Sequence, residues 1–201
     1  MTHMLSKTNL LLAVPPTEMM AAQGFGLTLA HMAYRVGGGP HLFRANLPVP
    51  VRGGVMLIDD AGFDGRGDPA PFCQEVVREC AARGYTGVIC DFDRHLPLLG
   101  QVIAGLSPLL AKRGWPLYVP EPYGRYSATA KVLIPTALSG GSLQVRLQEA
   151  VQQYGAARVA LAVERSAEDF FLPSPNGQGI RLTQEELQQR IQEREPVIFF
   201  S

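Results

Sequence analysis

Short apolar, β-branched runs bounded by Pro, Gly or Asp recur along the chain at Asn9–Val14, Ala30–Val36, Gly54–Asp59, Thr86–Phe92, Pro116–Glu121, Lys131–Thr136, Arg158–Glu164 and Pro196–Ser201. Each has the length and composition of a strand. Val55-Met56-Leu57-Ile58 and Val159-Ala160-Leu161-Ala162-Val163 are apolar at every position. A strand with one wet face would alternate, so these runs predict parallel strands covered on both sides.

The stretches between them carry a helical period. Pro71–Arg83 puts Phe72, Val76, Val77 and Cys80 on one stripe, with Asp68 placed to cap its start and Gly84 to stop it. Leu96–Arg113 repeats the pattern before Gly114, and Leu143–Tyr154 follows Gly141 or Ser142 and closes at Gly155. Thr183-Gln184-Glu185-Glu186 has the spacing of a capping box at the head of a last helix.

Strand and helix in alternation imply right-handed crossovers and parallel pairing. An open doubly wound sheet shares that order. Closure is favoured by the count of about eight strands, and by the lack of a GxGxxG or Walker loop after any of them. The expected fold is an α/β, small, reduced TIM-type (β/α)8 barrel over residues 1–201 as a single domain. Full-size barrels need roughly 250 residues. Gly37–Gly53 and Pro122–Ala130 show no helical period, so about two outer helices are expected to be missing. Gly37-Gly38-Gly39-Pro40 reads as a turn within that domain.

Composition narrows the setting. The 201 residues are 46% hydrophobic and 18% charged, enough to bury a core. Eighteen Lys and Arg balance 18 Asp and Glu, so no net field holds a polyanion, and a nucleic-acid role is not expected. Cys73, Cys80 and Cys90 form neither an even disulfide set nor a CxxC pair and read as buried thiols. The run Leu10–Val14 is too short for a signal-peptide core, and no apolar stretch is long enough to span a bilayer. A cytoplasmic location with no membrane partner is expected.

Chemistry concentrates where a parallel sheet would place it, at the carboxyl ends of the strands. Asp59 and Asp60 end the third run, Asp91 and Asp93 the fourth, Glu121 the fifth and Glu164 the seventh. Along an extended strand Asp91 and Asp93 would share a face with Ile89, about 6.5–7 Å apart, while Cys90 and Phe92 turn to the helices. Carboxyls at that separation can divide into an acid and a base.

Gly84-Tyr85-Thr86-Gly87-Val88-Ile89-Cys90-Asp91-Phe92-Asp93 resembles the fourth-strand signature of family 18 glycoside hydrolases, the chitinase-like barrels, approximately G-[FY]-D-G-x-D-x-D-x-E. Gly84, Tyr85, Gly87 and Asp91 match. Thr86 and Ile89 replace two of the aspartates, and Asp93 stands where the family has its proton-donating Glu. The resemblance implies a glycosidase in which the acid protonates the leaving oxygen while the substrate's acetamido group attacks, steadied by the neighbouring Asp. Asp91 would be the stabiliser and Asp93 the acid. The shorter Asp93 and the absence of the family's Tyr-Asp at Ile134-Pro135-Thr136-Ala137 leave a second reading open, an inactive barrel that binds a ligand or a protein.

Asp59, Asp60, Glu121, Glu164, Tyr123 and Tyr126 are the expected substrate-binding residues, the two tyrosines as rings for a sugar. Trp115 and Tyr118 read as core, and Ser139-Gly140-Gly141-Ser142 as a turn and helix cap. His31 and His41 lack partners at ligand spacing, and His95 reads as a solvated helix cap, so neither a metal nor another cofactor is expected. The expected partner is a small carbohydrate ligand. Leu42, Phe43, Leu47 and Val49 mark a surface for a homodimer.

Overall fold

The structure is a computed structural model that describes residues 3–5, 10–13, 28–36, 39–44, 55–135, 141–166, 169–173, 179–182 and 198–200. Their elements, in chain order, are β1 (His3–Leu5), β2 (Leu10–Ala13), β3 (Thr28–Val36), β4 (Leu42–Arg44), β5 (Val55–Asp59), α1 (Pro69–Arg83), β6 (Val88–Asp91), α2 (Pro97–Ala111) and β7 (Leu117–Pro120). A 3-10 turn (Glu121–Tyr126) then leads to β8 (Lys131–Pro135), α3 (Gly141–Tyr154), β9 (Val159–Ser166), β10 (Asp169–Pro173), β11 (Gly179–Leu182) and β12 (Ile198–Phe200). The helix expected from Thr183 onward, and Leu47, Val49, Ser139 and Gly140, lie outside the described residues.

The chain divides into two compact units, Ala30–Val132 and the two flanking stretches Met1–Leu29 with Leu133–Ser201. In the central unit the sheet order runs β3-β5-β6-β7, and β8, the neighbour of β7, begins at the end of that unit. The registers of β3 with β5, β5 with β6 and β6 with β7 are all parallel. The fold is therefore α/β with a parallel sheet. β4 adds antiparallel to the end of β3, with Val36 opposite Leu42.

α1 forms where its signals stand. Asp68 accepts the Ala70 N–H at 3.0 Å, Pro69 occupies the first turn without needing a donor, and Gly84 at φ 77° ends the helix in the left-handed region. Its stripe buries Phe72, Cys73, Val76, Val77 and Cys80, and α2 buries Leu99, Val102, Ile103, Leu106 and Leu110. The two helices meet closely at Gly105, where an added Cβ would fall 2.9 Å from the Cys73 sulfur. The Cys73 thiol donates to the Val102 carbonyl at 3.4 Å.

In the flanking unit β2 pairs parallel with β9, Leu10 opposite Leu161 and Ala13 opposite Glu164. β9, β10 and β11 form an antiparallel meander. Two expectations change here. The run Pro196–Ser201 does form a strand, but β12 pairs antiparallel with β1 in a separate two-stranded sheet. It does not join the larger sheet as an eighth parallel strand. The stretch Pro122–Ala130, expected as loop, begins with the 3-10 turn in place of a full crossover helix. No described helix is long and apolar enough to cross a membrane.

Candidate functional site

The carboxyl ends of β5 and β6 bring two acids side by side. Asp59 and Asp91 are register partners on adjacent parallel strands, as are Ile58 and Cys90 one position earlier. Partners in register point to the same side of a sheet, with neighbouring strands about 4.8 Å apart. Ile58 and Cys90 are fully buried. Burial, then the nearby Cys73 thiol of α1, push the Cys90 thiol above its ordinary range. The Cys90 side therefore faces the helices, and Asp59 and Asp91 face away from them, as the alternation of the sequence predicts. Asp91 is exposed and Asp59 half-buried, its carboxylate accepting the Ala61 N–H at 3.1 Å. In the backbone register Arg35 of β3 is the partner of Asp59.

Asp93 does not share that strand. β6 ends at Asp91, and Asp93 lies exposed in the following loop, so the i, i+2 spacing of an extended strand does not describe the pair. The physical reason is Asp60. The residue is 3% exposed, and its carboxylate accepts the N–H groups of Asp93 at 3.2 Å and Arg94 at 3.0 Å, which turns the backbone out of the ladder. Arg94 returns the contact: its Nε meets the Asp60 carboxylate at 3.3 Å, and its Nη2 donates to the backbone carbonyls of Asp60 and Phe63. The loops after β5 and β6 are thus tied to each other by one acid and one guanidinium.

Tyr123 fixes the other side of the same loop. It is 3% exposed, its hydroxyl donates to the Arg94 carbonyl and accepts the Leu96 N–H at 3.1 Å. Burial pushes its phenol up, with the Leu96 bond opposing and Asp60 adding to the rise. Phe92 meets the Tyr123 ring edge-on at 5.9 Å, and Tyr126 lies tilted against it at 5.8 Å. Tyr126 fits because Gly100 of α2 has no Cβ; one added there would fall against the ring. Arg125 lies over the Tyr126 ring at 5.0 Å.

The expected site residues therefore separate. Asp59, Asp60, Asp91 and Asp93 gather at the ends of β5 and β6, and Tyr123 and Tyr126 support the loop that leaves β6. Glu121 is half-buried at the start of the 3-10 turn after β7. Glu164 is on β9 in the flanking unit. Trp115 is half-buried with Arg113 over its ring at 5.0 Å, and Tyr118 is core. Arg94 follows the motif directly in the sequence, where it reads as a cation able to neutralise Asp91 and Asp93; the structure pairs it with Asp60 and with carbonyls of the preceding loop. Among the described residues no group of three or more His, Cys, Asp or Glu is placed to hold a metal ion.

The parallel strands with helices between them make the chain an α/β fold, with Asp59 and Asp91 paired at the carboxyl ends of β5 and β6. No protein-family model matches the chain, and no curated protein is found similar to it. Among solved structures, the spore cortex-lytic enzyme SleL of Bacillus megaterium QM B1551 matches 94% of this chain with a TM-score of 0.58 and 12% sequence identity. The match takes in 58% of that enzyme's chain. At this identity the likeness is one of fold alone.

Proposed function

We propose that this chain is a reduced TIM-type barrel of glycoside hydrolase-like kind that acts on or binds an amino sugar or related carbohydrate at the carboxyl edge of its parallel sheet. The observation that carries the reading is the in-register pair Asp59 and Asp91 at the carboxyl ends of β5 and β6, with Asp93 in the next loop. The fold likeness to a cortex-lytic enzyme supports it. In this reading Asp91 steadies the charge that develops as the substrate's acetamido group attacks, and Asp93 gives its proton to the leaving oxygen, the roles that the family resemblance implies. Asp59, Glu121 and Tyr126 surround the sugar, while Glu164 stands in the flanking unit. Asp60 and Tyr123 act behind them by holding the loop. The cytoplasmic setting and a homodimer through β4, where Phe43 is 56% exposed, belong to the same proposal.

The position of Asp93 favours a second reading. A carboxyl one methylene short of the Glu in the resembled motif, on a loop set by Asp60, would sit back from a scissile oxygen. A misplacement of about 1 Å already costs on the order of 100-fold in rate. The chain would then bind its sugar without cleaving it. Turnover of chitooligosaccharides and peptidoglycan fragments by the wild type, Asp91→Asn and Asp93→Asn separates the readings. The enzyme reading predicts a loss of at least about 100-fold in both variants. Unchanged turnover removes these residues from the mechanism, and binding without turnover in the wild type selects the binding protein.

A further inference from the structure

α1 carries Glu75, Arg78, Glu79 and Arg83, and α3 carries Arg146 and Glu149. α2, from Pro97 to Ala111, has no charged side chain at all. A helix on the outside of a fold ordinarily sets charges toward water. Here Gln101, Ala104 and Pro108 are exposed instead, and Leu98 and Leu109 are only half-buried. The same character continues onto α1. The two helices meet closely where Gly105 leaves room for the Cys73 sulfur. Helical spacing from that contact sets Ala70, Gln74 and Ala81 along the α1 side of the seam, all three exposed, and Leu98, Gln101 and Leu109 along the α2 side. Arg78 and Lys112 stand at the rim of this two-helix face, by the same spacing.

We propose that the outer face of α1 and α2 is a docking surface for a second copy of this chain, packed helices on helices about a two-fold axis and separate from the β4 edge. The occupant follows from charge and area. A charged partner would give up hydration over the seam without meeting a counter-charge. A second copy brings the same uncharged rows, and a two-fold contact sets each face against its own equivalent. Fifteen residues make each helix about 22 Å long, and two neighbours together are about 20 Å wide. Two copies would therefore bury on the order of 1,000 Å², the lower end of specific interfaces and the size of a weak dimer. Leu98 and Leu109 would lose the water that still reaches them in the single chain. The bland alternative is a face that stays wet because its short side chains cost little in water. The proposal does not rest on the carbohydrate reading.

The test is sedimentation equilibrium of the full chain up to roughly 200 μM, with thermal unfolding of each variant alongside. The wild type is expected to form a dimer with a Kd of about 1–100 μM. Gln101→Glu keeps the size of an exposed side chain, so the fold is retained, and it sets like charges into both faces. It is expected to weaken the dimer at least about tenfold with an unchanged Tm, while Gln152→Glu, exposed on α3, stays within about twofold of the wild type. Raising salt from about 0.1 to about 0.5 M is expected to leave an uncharged interface intact. A wild type that is monomeric at the highest concentration overturns the proposal, and so does a dimer that dissociates in salt. Association that Gln101→Glu leaves within about twofold also overturns it, and its loss in Phe43→Ser would then assign the contact to the β4 edge.

Discussion

Removing the side chain of Asp60 tests whether this acid belongs to the frame of the site or to its ligand. In Asp60→Ala the N–H groups of Asp93 and Arg94 lose their acceptor, at 3.2 and 3.0 Å, and the Arg94 Nε loses its partner at 3.3 Å. Each backbone bond to a carboxylate is worth about 1–1.5 kcal/mol here, because the loop is open enough for water to replace part of it. The Arg94 side chain is 44% exposed, so the ion pair adds only about 0–1 kcal/mol. Its bonds to the Asp60 and Phe63 carbonyls survive the substitution. The sum is a loss of about 2–4 kcal/mol. Asp60→Asn keeps one acceptor oxygen and is expected to lose about half as much. Urea unfolding of the full chain measures the loss, and amide exchange locates it at Asp93 and Arg94. A cost under about 0.5 kcal/mol, with those amides still protected, would falsify the clamp and return Asp60 to the ligand-binding candidates.

Two further outcomes follow from the core of the central unit. Burial, with a smaller push from Asp68 on Cys73 and from Glu79 on Cys80, raises both thiols from 9.0 to about 12. A folded-state pKa above the unfolded one gives stability that is complete below about pH 9 and lost as pH rises toward 12. Chemical unfolding between pH 8 and 12 should show a decline of up to about 1.4 kcal/mol per pH unit for each thiol, reduced in Cys73→Ala; a flat profile contradicts it. At the α1–α2 contact, Gly105→Ala should lose about 1–2 kcal/mol despite the better helix propensity, because its Cβ meets the Cys73 sulfur. The double variant with Cys73→Ala should recover most of that loss, and no recovery would place the strain elsewhere.

The local signals that the sequence carries are those the fold obeys. Asp68, Pro69 and Gly84 delimit α1, and the all-apolar runs at Val55–Ile58 and Val159–Val163 become β5 and β9 in parallel pairs. Runs that depend on distant partners were less readable. Pro196–Ser201 looks like any other apolar run, and nothing local says that Ile198–Phe200 pairs with His3–Leu5 at the far end of the chain. Asp169–Pro173 and Gly179–Leu182 are short, and their antiparallel register is a long-range choice that an alternating strand and helix count passes over.

The site divides in the same way. Asp59 beside Asp91 was readable, because adjacent parallel strands end together and each run closes on an acid. The parts played by Asp60 and Tyr123 were not, since their partners lie 27 to 34 residues away on other loops. The sequence marks both as polar loop residues. Only the fold shows that one carboxylate collects the amides of the neighbouring loop and that one phenol grips the backbone around His95.

The central claim is that the carboxyl edge of β5 and β6 holds a sugar, and a crystal of the protein soaked with a chitooligosaccharide tests it most directly. The expected result is a sugar ring with hydroxyls within hydrogen-bond distance of the Asp59 and Asp91 carboxylates. Sugar bound elsewhere on the molecule, or an empty edge at a concentration that saturates binding in solution, contradicts it.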